Sequence, residues 1–200
     1  MKNLKEFFST SELEDQTFKS QDFSSVFLDG YSFSNCSFEK CNFTESSWKA
    51  AKFVSCTFKN CNISLVKLVG CRLQDVSFEE CKIVGAEFFK CDTSFIFSIK
   101  VEKSFLQYCN FSELDMKKTS FQKSKIHKGT FIRTCLIEAN FADTDLQETI
   151  FHSSDLSKAN FCGAVNYIID PQINKIKKAK FSFPEVVGLL KGYDITIVYP

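Results

Sequence analysis

Large apolar residues fall at every fifth position through most of the chain. The first run is Phe18, Phe23, Leu28, Phe33, Phe38, Phe43, Trp48, Phe53, Phe58, Ile63, Leu68, Leu73, Phe78, Ile83 and Phe88. After one slip near Thr93 the period resumes at Val101, Leu106, Phe111, Met116, Phe121, Ile126, Phe131, Leu136, Phe141, Leu146, Phe151, Leu156 and Phe161. Two residues before each centre the side chain is small: Cys36, Cys41, Ala51, Cys56 and Cys61 in the first run, and Ser104, Thr119, Ser124, Thr134 and Ala159 in the second. The unit is small–polar–large–polar–polar, as in the C-N-F-T-E of residues 41–45 and the A-N-F-A-D of 139–143.

Two apolar slots separated by one polar residue suit a short extended segment, whose alternate side chains share a face. The other residues of each unit must then turn the chain, so that the next pair again points inward. On a helix, a period of five would drift by about 140° per unit and spread the Phe residues round the whole surface. Phe, Ile, Thr and Cys are also mediocre helix formers. The pattern therefore predicts a coil of short strands that buries every centre in one interior, with stability from contacts between successive coils and ends that need capping. A scaffold this regular carries no reaction chemistry of its own.

The strict phase over roughly residues 16–165 resembles the pentapeptide-repeat family, whose consensus is A-(D/N)-L-x-x. The resemblance implies an all-β fold, a right-handed quadrilateral β-helix with four five-residue faces per coil. Residues twenty apart then stack, giving about seven coils and a rod about 35 Å long at the usual strand spacing. Stacking predicts columns: Phe18, Phe38, Phe58 and Phe78 in one, and Leu28, Trp48, Leu68 and Phe88 in another. In the second run Phe alternates with Met, Ile or Leu, which places Phe on opposite faces and aliphatic residues on the faces between. The organisation expected is an N-terminal cap over 1–15, the β-helix over 16–168 with its slip near 93–96, and a C-terminal capping and dimerisation segment over 169–200.

Composition changes this picture little. Of ten cysteines, eight (Cys36, Cys41, Cys56, Cys61, Cys71, Cys81, Cys91 and Cys109) occupy the small inward slot, and Cys135 and Cys162 lie off it. Free Cys behaves as a small buried hydrophobe, so neither a disulfide framework nor a zinc site is expected. The N-terminus does not read as a signal peptide and no apolar run is long enough to span a membrane; a cytoplasmic protein is expected. The net charge of +1 gives no dominant field, but Lys117, Lys118, Lys123, Lys125, Lys128 and Arg133 form a basic band, and Glu138, Asp143, Asp145 and Glu148 follow it. Aromatics within the band are repeat centres, so base stacking is not available and nucleic acid is not the expected partner. The two histidines, His127 and His152, each follow a repeat centre and face solvent without a sequence partner that would make them a base. No phosphate loop or metal motif is present. Catalytic, metal and cofactor residues are accordingly none, and the chain is not expected to be an enzyme.

Two segments depart from the repeat. Around Cys91–Lys100 the phase moves by three residues, and Phe95 and Phe97 cannot both be ordinary inward centres. Nearby, Val69, Val84 and Phe89 place apolar side chains in outward slots. Val69, Val84, Phe89, Phe95 and Phe97 form the candidate partner-binding patch. After Asn166 the repeat fades. Ser182 and Glu185 form a capping-box pattern with Pro184 in the first turn, predicting a short α-helix with Val186, Val187, Leu189 and Leu190 on its apolar side, then a strand over Asp194–Tyr199. Such a helix caps its own coil or pairs with a second copy in a two-fold homodimer. The tail pattern D-P-x-x-N-x-(I/L)-K followed by S-x-P-E is similar to the tails of pentapeptide proteins of the Qnr and McbG (microcin-immunity) group. That resemblance implies a tail-to-tail dimer that engages DNA gyrase or topoisomerase IV and confers antibiotic resistance.

Overall fold

The computed structural model describes residues 10–193, 195, 196 and 198. It is an all-β solenoid of about eight coils with almost no helix. Each coil takes four quintets, and parallel strand pairs stack residues twenty apart: Leu13 on Phe33, Phe33 on Phe53, Phe18 on Phe38 and Phe38 on Phe58. Four columns of quintets result. The first begins at Glu12–Glu14 and the second at Thr17–Lys19; the third and fourth enter as single bridges, Asp22 on Asn42 and Phe27 on Ser47. Stacking reaches Phe161 on Phe181. The count exceeds the seven coils expected from sequence because Leu13 opens the first column and Ile176 and Phe181 still act as centres beyond the interrupted tail.

The core is the set of centres and small slots. Phe18, Phe38, Phe58 and Phe78 stack at centroid separations of 5.0, 4.7 and 5.1 Å. In the later coils Phe111, Phe131 and Phe151 form one column, at 4.9 and 5.1 Å. Phe121, Phe141, Phe161 and Phe181 form another, at 5.0, 4.9 and 5.1 Å. The two columns meet edge to face across the interior, as in Phe121 on Phe131 at 5.7 Å; such geometry suits the aromatic quadrupole. Met116, Leu136 and Leu156 fill one column between them, Ile126 and Leu146 the other, all buried.

Most corners are made by a residue in the left-handed region, two places after the centre; the corner after Phe88 is instead a 3-10 turn over Phe88–Lys90. Asp15, Glu45, Leu65, Lys118, Arg133 and Lys158 all have φ between 52° and 60°. Most are not glycine, so the sequence alone does not mark them. What holds them is a backbone bond to the next coil, as in Leu65 N to Val84 O at 2.7 Å and Glu45 N to Ser64 O at 2.9 Å.

The slip is a three-residue enlargement of the first column. Stacked residues lie 23 apart where the bulge intervenes, as in Val76 with Ile99 and Ile83 with Leu106, and 20 apart again from Leu106 with Ile126. Near the C-terminus the fourth column is entered two residues early, so that Ile150 bridges Ile168, and the spacing is twenty again by Asp155 with Lys175. There Tyr167 and Ile169 fill the interior instead of a residue in repeat phase.

The C-terminal α-helix expected from sequence is not formed: Glu185–Tyr193 is a run of 3-10 turns. Two adjacent β-branched residues and Gly188 in a nine-residue segment give little α-propensity. The capping box is not made either, since the Ser182 hydroxyl accepts the Gly163 N–H at 2.9 Å. The strand expected over Asp194–Tyr199 lies largely outside the described residues, as do the first nine residues of the expected N-terminal cap.

Candidate functional site

The most distinctive surface is the bulge of residues 92–98. Its start is tied to the preceding coil by Asp92 N to Cys71 O at 2.9 Å, and its end by Ser98 N to Leu73 O at 3.0 Å. The Ser98 hydroxyl also accepts the Asp75 N–H at 2.7 Å and donates to the Asp75 carboxylate at 2.9 Å. Inside the loop the Asp92 carboxylate accepts both the N–H and the hydroxyl of Ser94, which hold its pKa below the usual range. The loop is thus anchored at both ends and tightened within.

The two phenylalanines divide. Phe97 turns in and packs against the core. Phe95 turns out, 54% exposed, and the Arg72 guanidinium carbon sits 3.3 Å from its ring centroid. This cation–π contact covers one face of the ring. Ile96 beside it is 69% exposed. A groove of about 730 Å³ runs between residues 93–98 and the pair Asp115 and Lys117 on the next coil. Lys117 Nζ bonds Asp115 at 2.8 Å. Burial pulls the Asp115 carboxyl up, but the Lys117 contacts outweigh it and hold its pKa below the usual range.

Val69 and Phe89 are exposed on successive coils one corner from this loop, where Gly70 N donates to Lys90 O at 2.8 Å. Val84 lies apart from them. It is half-buried at the corner between the third and fourth columns, against Leu65. Ile96, Asp115 and Lys117 line the groove and Arg72 borders it through Phe95; of these, sequence marked only Lys117, as part of the basic band. Asp115 and Lys117 come from the following coil, and Arg72 is defined by the ring it covers.

Among the described residues the charges form no single-sign strip. The basic band and the acids that follow it stack on neighbouring coils: Lys118 lies 4.0 Å from Glu138, Lys128 3.7 Å from Glu148, and Lys158 2.8 Å from Glu138. Arg133 pairs with Glu113. His127, expected to lack a partner, meets the Asp145 carboxylate at 2.9 Å, and Asn166 holds the other oxygen of that carboxylate at 2.8 Å. Burial raises the Asp145 pKa, and these bonds outweigh it to leave the group below its ordinary range. Among the described residues no cluster of His, Cys, Asp and Glu could hold a metal ion.

At the C-terminal end Leu189 packs on the core, Val186 and Val187 are half-buried, and Leu190 is exposed. Gly188 lies over Tyr167, where an added Cβ would come within 3.3 Å of the Tyr167 carbonyl. The segment therefore covers the last coil of its own chain. All ten cysteines are free, with Cys135 half-buried and Cys162 exposed. No described helix is long and apolar enough to cross a membrane.

These features define an all-β solenoid of pentapeptide repeats with one enlarged, partly apolar loop. Family profiles agree: the pentapeptide repeat region matches residues 31–102, and pentapeptide repeats (8 copies) match 130–163, together just over half of the chain. The chain belongs to the pentapeptide-repeat family. Among solved structures it is similar to a trypsin-treated variant of QnrB1, a plasmid-mediated fluoroquinolone resistance protein. That match has 16% identity and a TM-score of 0.63, covering 94% of this chain and 97% of that one. Full-length QnrB1 aligns at 21% identity and a TM-score of 0.45, over 92% and 90%. HetL, a pentapeptide repeat protein involved in heterocyst differentiation regulation from the cyanobacterium Nostoc, aligns at 13% identity and 0.42, over 84% of each chain. No curated protein sequence matches significantly.

Proposed function

We propose that this chain is a non-enzymatic binding rod, a right-handed quadrilateral β-helix of a reducing cytoplasm, that engages a protein partner through the bulge at 92–98. The observation that carries the reading is the exposed set Phe95, Ile96, Val69 and Phe89 around the enlarged quintet of an otherwise regular surface. Apolar groups held outward on an anchored loop are what a partner buries. The partner class we propose is a type II topoisomerase, DNA gyrase or topoisomerase IV, in keeping with the fold shared with QnrB1. Contact runs through the apolar loop and Arg72. Phosphate mimicry would need an acidic face, and here acids and bases pair between coils.

A gyrase supercoiling assay with and without a fluoroquinolone tests the partner. Inhibition by the wild type, or rescue from the drug, should be lost in Phe95→Ala with Ile96→Ser. Activity equal to wild type in that variant would remove the bulge from the contact. No effect of the wild type, with no binding at micromolar protein, would leave a protein-interaction solenoid whose partner is not a topoisomerase. The balanced charge of the coils favours that second reading over a DNA mimic.

A further inference from the structure

The last coil differs in charge from those before it. Residues 171–193 hold five lysines, Lys175, Lys177, Lys178, Lys180 and Lys191, against one acid, Glu185. Inner coils neutralise their cations by stacking. In the corner row of the first column, Glu138 sits between Lys118 at 4.0 Å and Lys158 at 2.8 Å. Lys178 is the next corner of that row, at φ 60°, and no further coil brings it an acid. Lys177, Lys178 and Lys180 are exposed and form no ion pair among the described residues, and Lys175 reaches Asp155 only at 3.8 Å. The same end is apolar on its outer side. In the segment that covers the last coil, Leu189 packs on the core, while its neighbour Leu190 is exposed. Phe183, two residues beyond the centre Phe181, is 76% exposed, and Tyr193, Ile195 and Val198 are exposed as well. The hollow within this segment is walled by residues such as Tyr167, Glu185 and Val187 and by none of these five. A protein ligand anchors in pockets; separate apolar tips among lysines suit a surface of no fixed shape.

We propose that the C-terminal end of this chain binds the surface of an anionic lipid bilayer, lying on it and not crossing it. Lys177, Lys178 and Lys180 meet the lipid phosphates. Phe183 and Leu190 enter the boundary between headgroups and acyl chains. A lysine keeps its ammonium in the headgroup layer while its stem covers apolar surface. A tyrosine, as at Tyr193, suits the same level, with its ring in apolar and its hydroxyl in polar surroundings. Neither part suffices alone. A few apolar groups hold a protein at a membrane only marginally, and a basic cluster supplies the second signal. The bulge at 92–98 lies on earlier coils, so contact there and contact here are independent.

Flotation of the full chain with vesicles tests the proposal. The wild type should float with phosphatidylcholine vesicles containing about one third phosphatidylglycerol, and stay below with pure phosphatidylcholine. Binding should fall as salt rises to about 0.5 M and screens the lysines. Lys177→Gln with Lys178→Gln and Lys180→Gln should weaken binding at least about thirtyfold. Phe183→Ser keeps every charge and should weaken it about tenfold. Circular dichroism verifies folding. Should the triple variant unfold, the single change Lys178→Glu replaces it, with a loss of at least about fivefold. A wild type that stays below anionic vesicles at ~1 mM lipid, or a folded lysine variant that floats as the wild type does, would overturn the proposal. So would a wild type that leaves the vesicles unbound and sediments as a dimer, lost in Leu190→Asp, since this end would then belong to a second copy.

Discussion

The coils before the bulge fill the small slot mainly with thiols, and those after it mainly with hydroxyls. Cys56 Sγ lies 3.4 Å from the carbonyls of both Phe33 and Val54. Ser154 Oγ lies 2.9 Å from Phe131 O and 3.3 Å from His152 O, at the same sequence offsets, and also accepts the Thr134 N–H at 3.0 Å. Coil geometry aims a short side chain at one carbonyl of the coil before and one of its own. A thiol fills that space as a small hydrophobe with a weak donor, whereas a hydroxyl must be bonded to be buried there. The core differs in parallel. Before the bulge, Phe33, Phe38, Phe43, Trp48, Phe53 and Phe58 contact one another across all four columns. After it the aromatics withdraw to two columns. The same backbone thus accepts two chemistries, one relying on volume and aromatic contact, the other on buried polar bonds.

Breaking the phase should have the largest effect and should separate the halves. Deleting one residue within 141–156 turns every later centre outward, so the coils beyond it should be lost while the aromatic coils before the bulge keep their near-ultraviolet dichroism. Retention of a single wild-type thermal transition would contradict the register. Point changes come next. Trp48→Ala should cost about 3–5 kcal/mol and Leu146→Ala about 2–4 kcal/mol, as buried cavities. Gln147→Ala should stay within about 0.5 kcal/mol. Equal midpoints for the last two would defeat the inward assignment.

The two slot chemistries can be exchanged. Ser154→Ala leaves the buried Thr134 N–H without its acceptor and should cost about 1–3 kcal/mol. Cys56→Ser places a stronger donor before the same carbonyls and should change stability by less than about 1 kcal/mol. Urea midpoints measure both.

Alkaline pH should act mainly on the thiol-rich half. Burial pushes the thiols of Cys56 and Cys91, before the bulge, and of Cys109, the one slot thiol after it, up to about 12, from an ordinary value of 9.0. The folded state keeps these protons where the unfolded chain loses them. Their stabilisation is therefore complete below pH 9.0 and should fall away as pH rises towards about 12. A urea midpoint that does not move between about pH 8 and 11 would contradict this burial. In native protein a thiol reagent should reach Cys162 first, then Cys135, and the eight slot cysteines only on unfolding.

The smallest effect is expected at the corners. Gly30, Gly70 and Gly85 relieve left-handed corners before the bulge, whereas Lys123, at φ 58°, bears one after it. Lys123→Gly should stabilise by about 1 kcal/mol or less, since a Cβ is disfavoured there.

Sequence alone determined which residues point inward. A five-residue phase is local, and its inward pair follows from strand alternation, so the Phe columns, the slot cysteines and the existence of a slip were all legible. Partners across coils were not, because they lie 18 to 23 residues away: His127 with Asp145, Lys128 with Glu148, Arg72 with Phe95. A band that reads as basic along the chain is neutralised by stacking in space. Where the phase breaks, local pattern says only that something must give. Packing then decides that Phe97 turns in and Phe95 out, that Tyr167 and Ile169 fill a coil whose phase shifts by two residues at its fourth column, and that Val186–Leu190 wind into 3-10 turns over it. The corners show the same division. Their left-handed backbone is imposed on Lys, Glu, Leu and Arg by bonds between coils, and those bonds exist only once the coils have stacked.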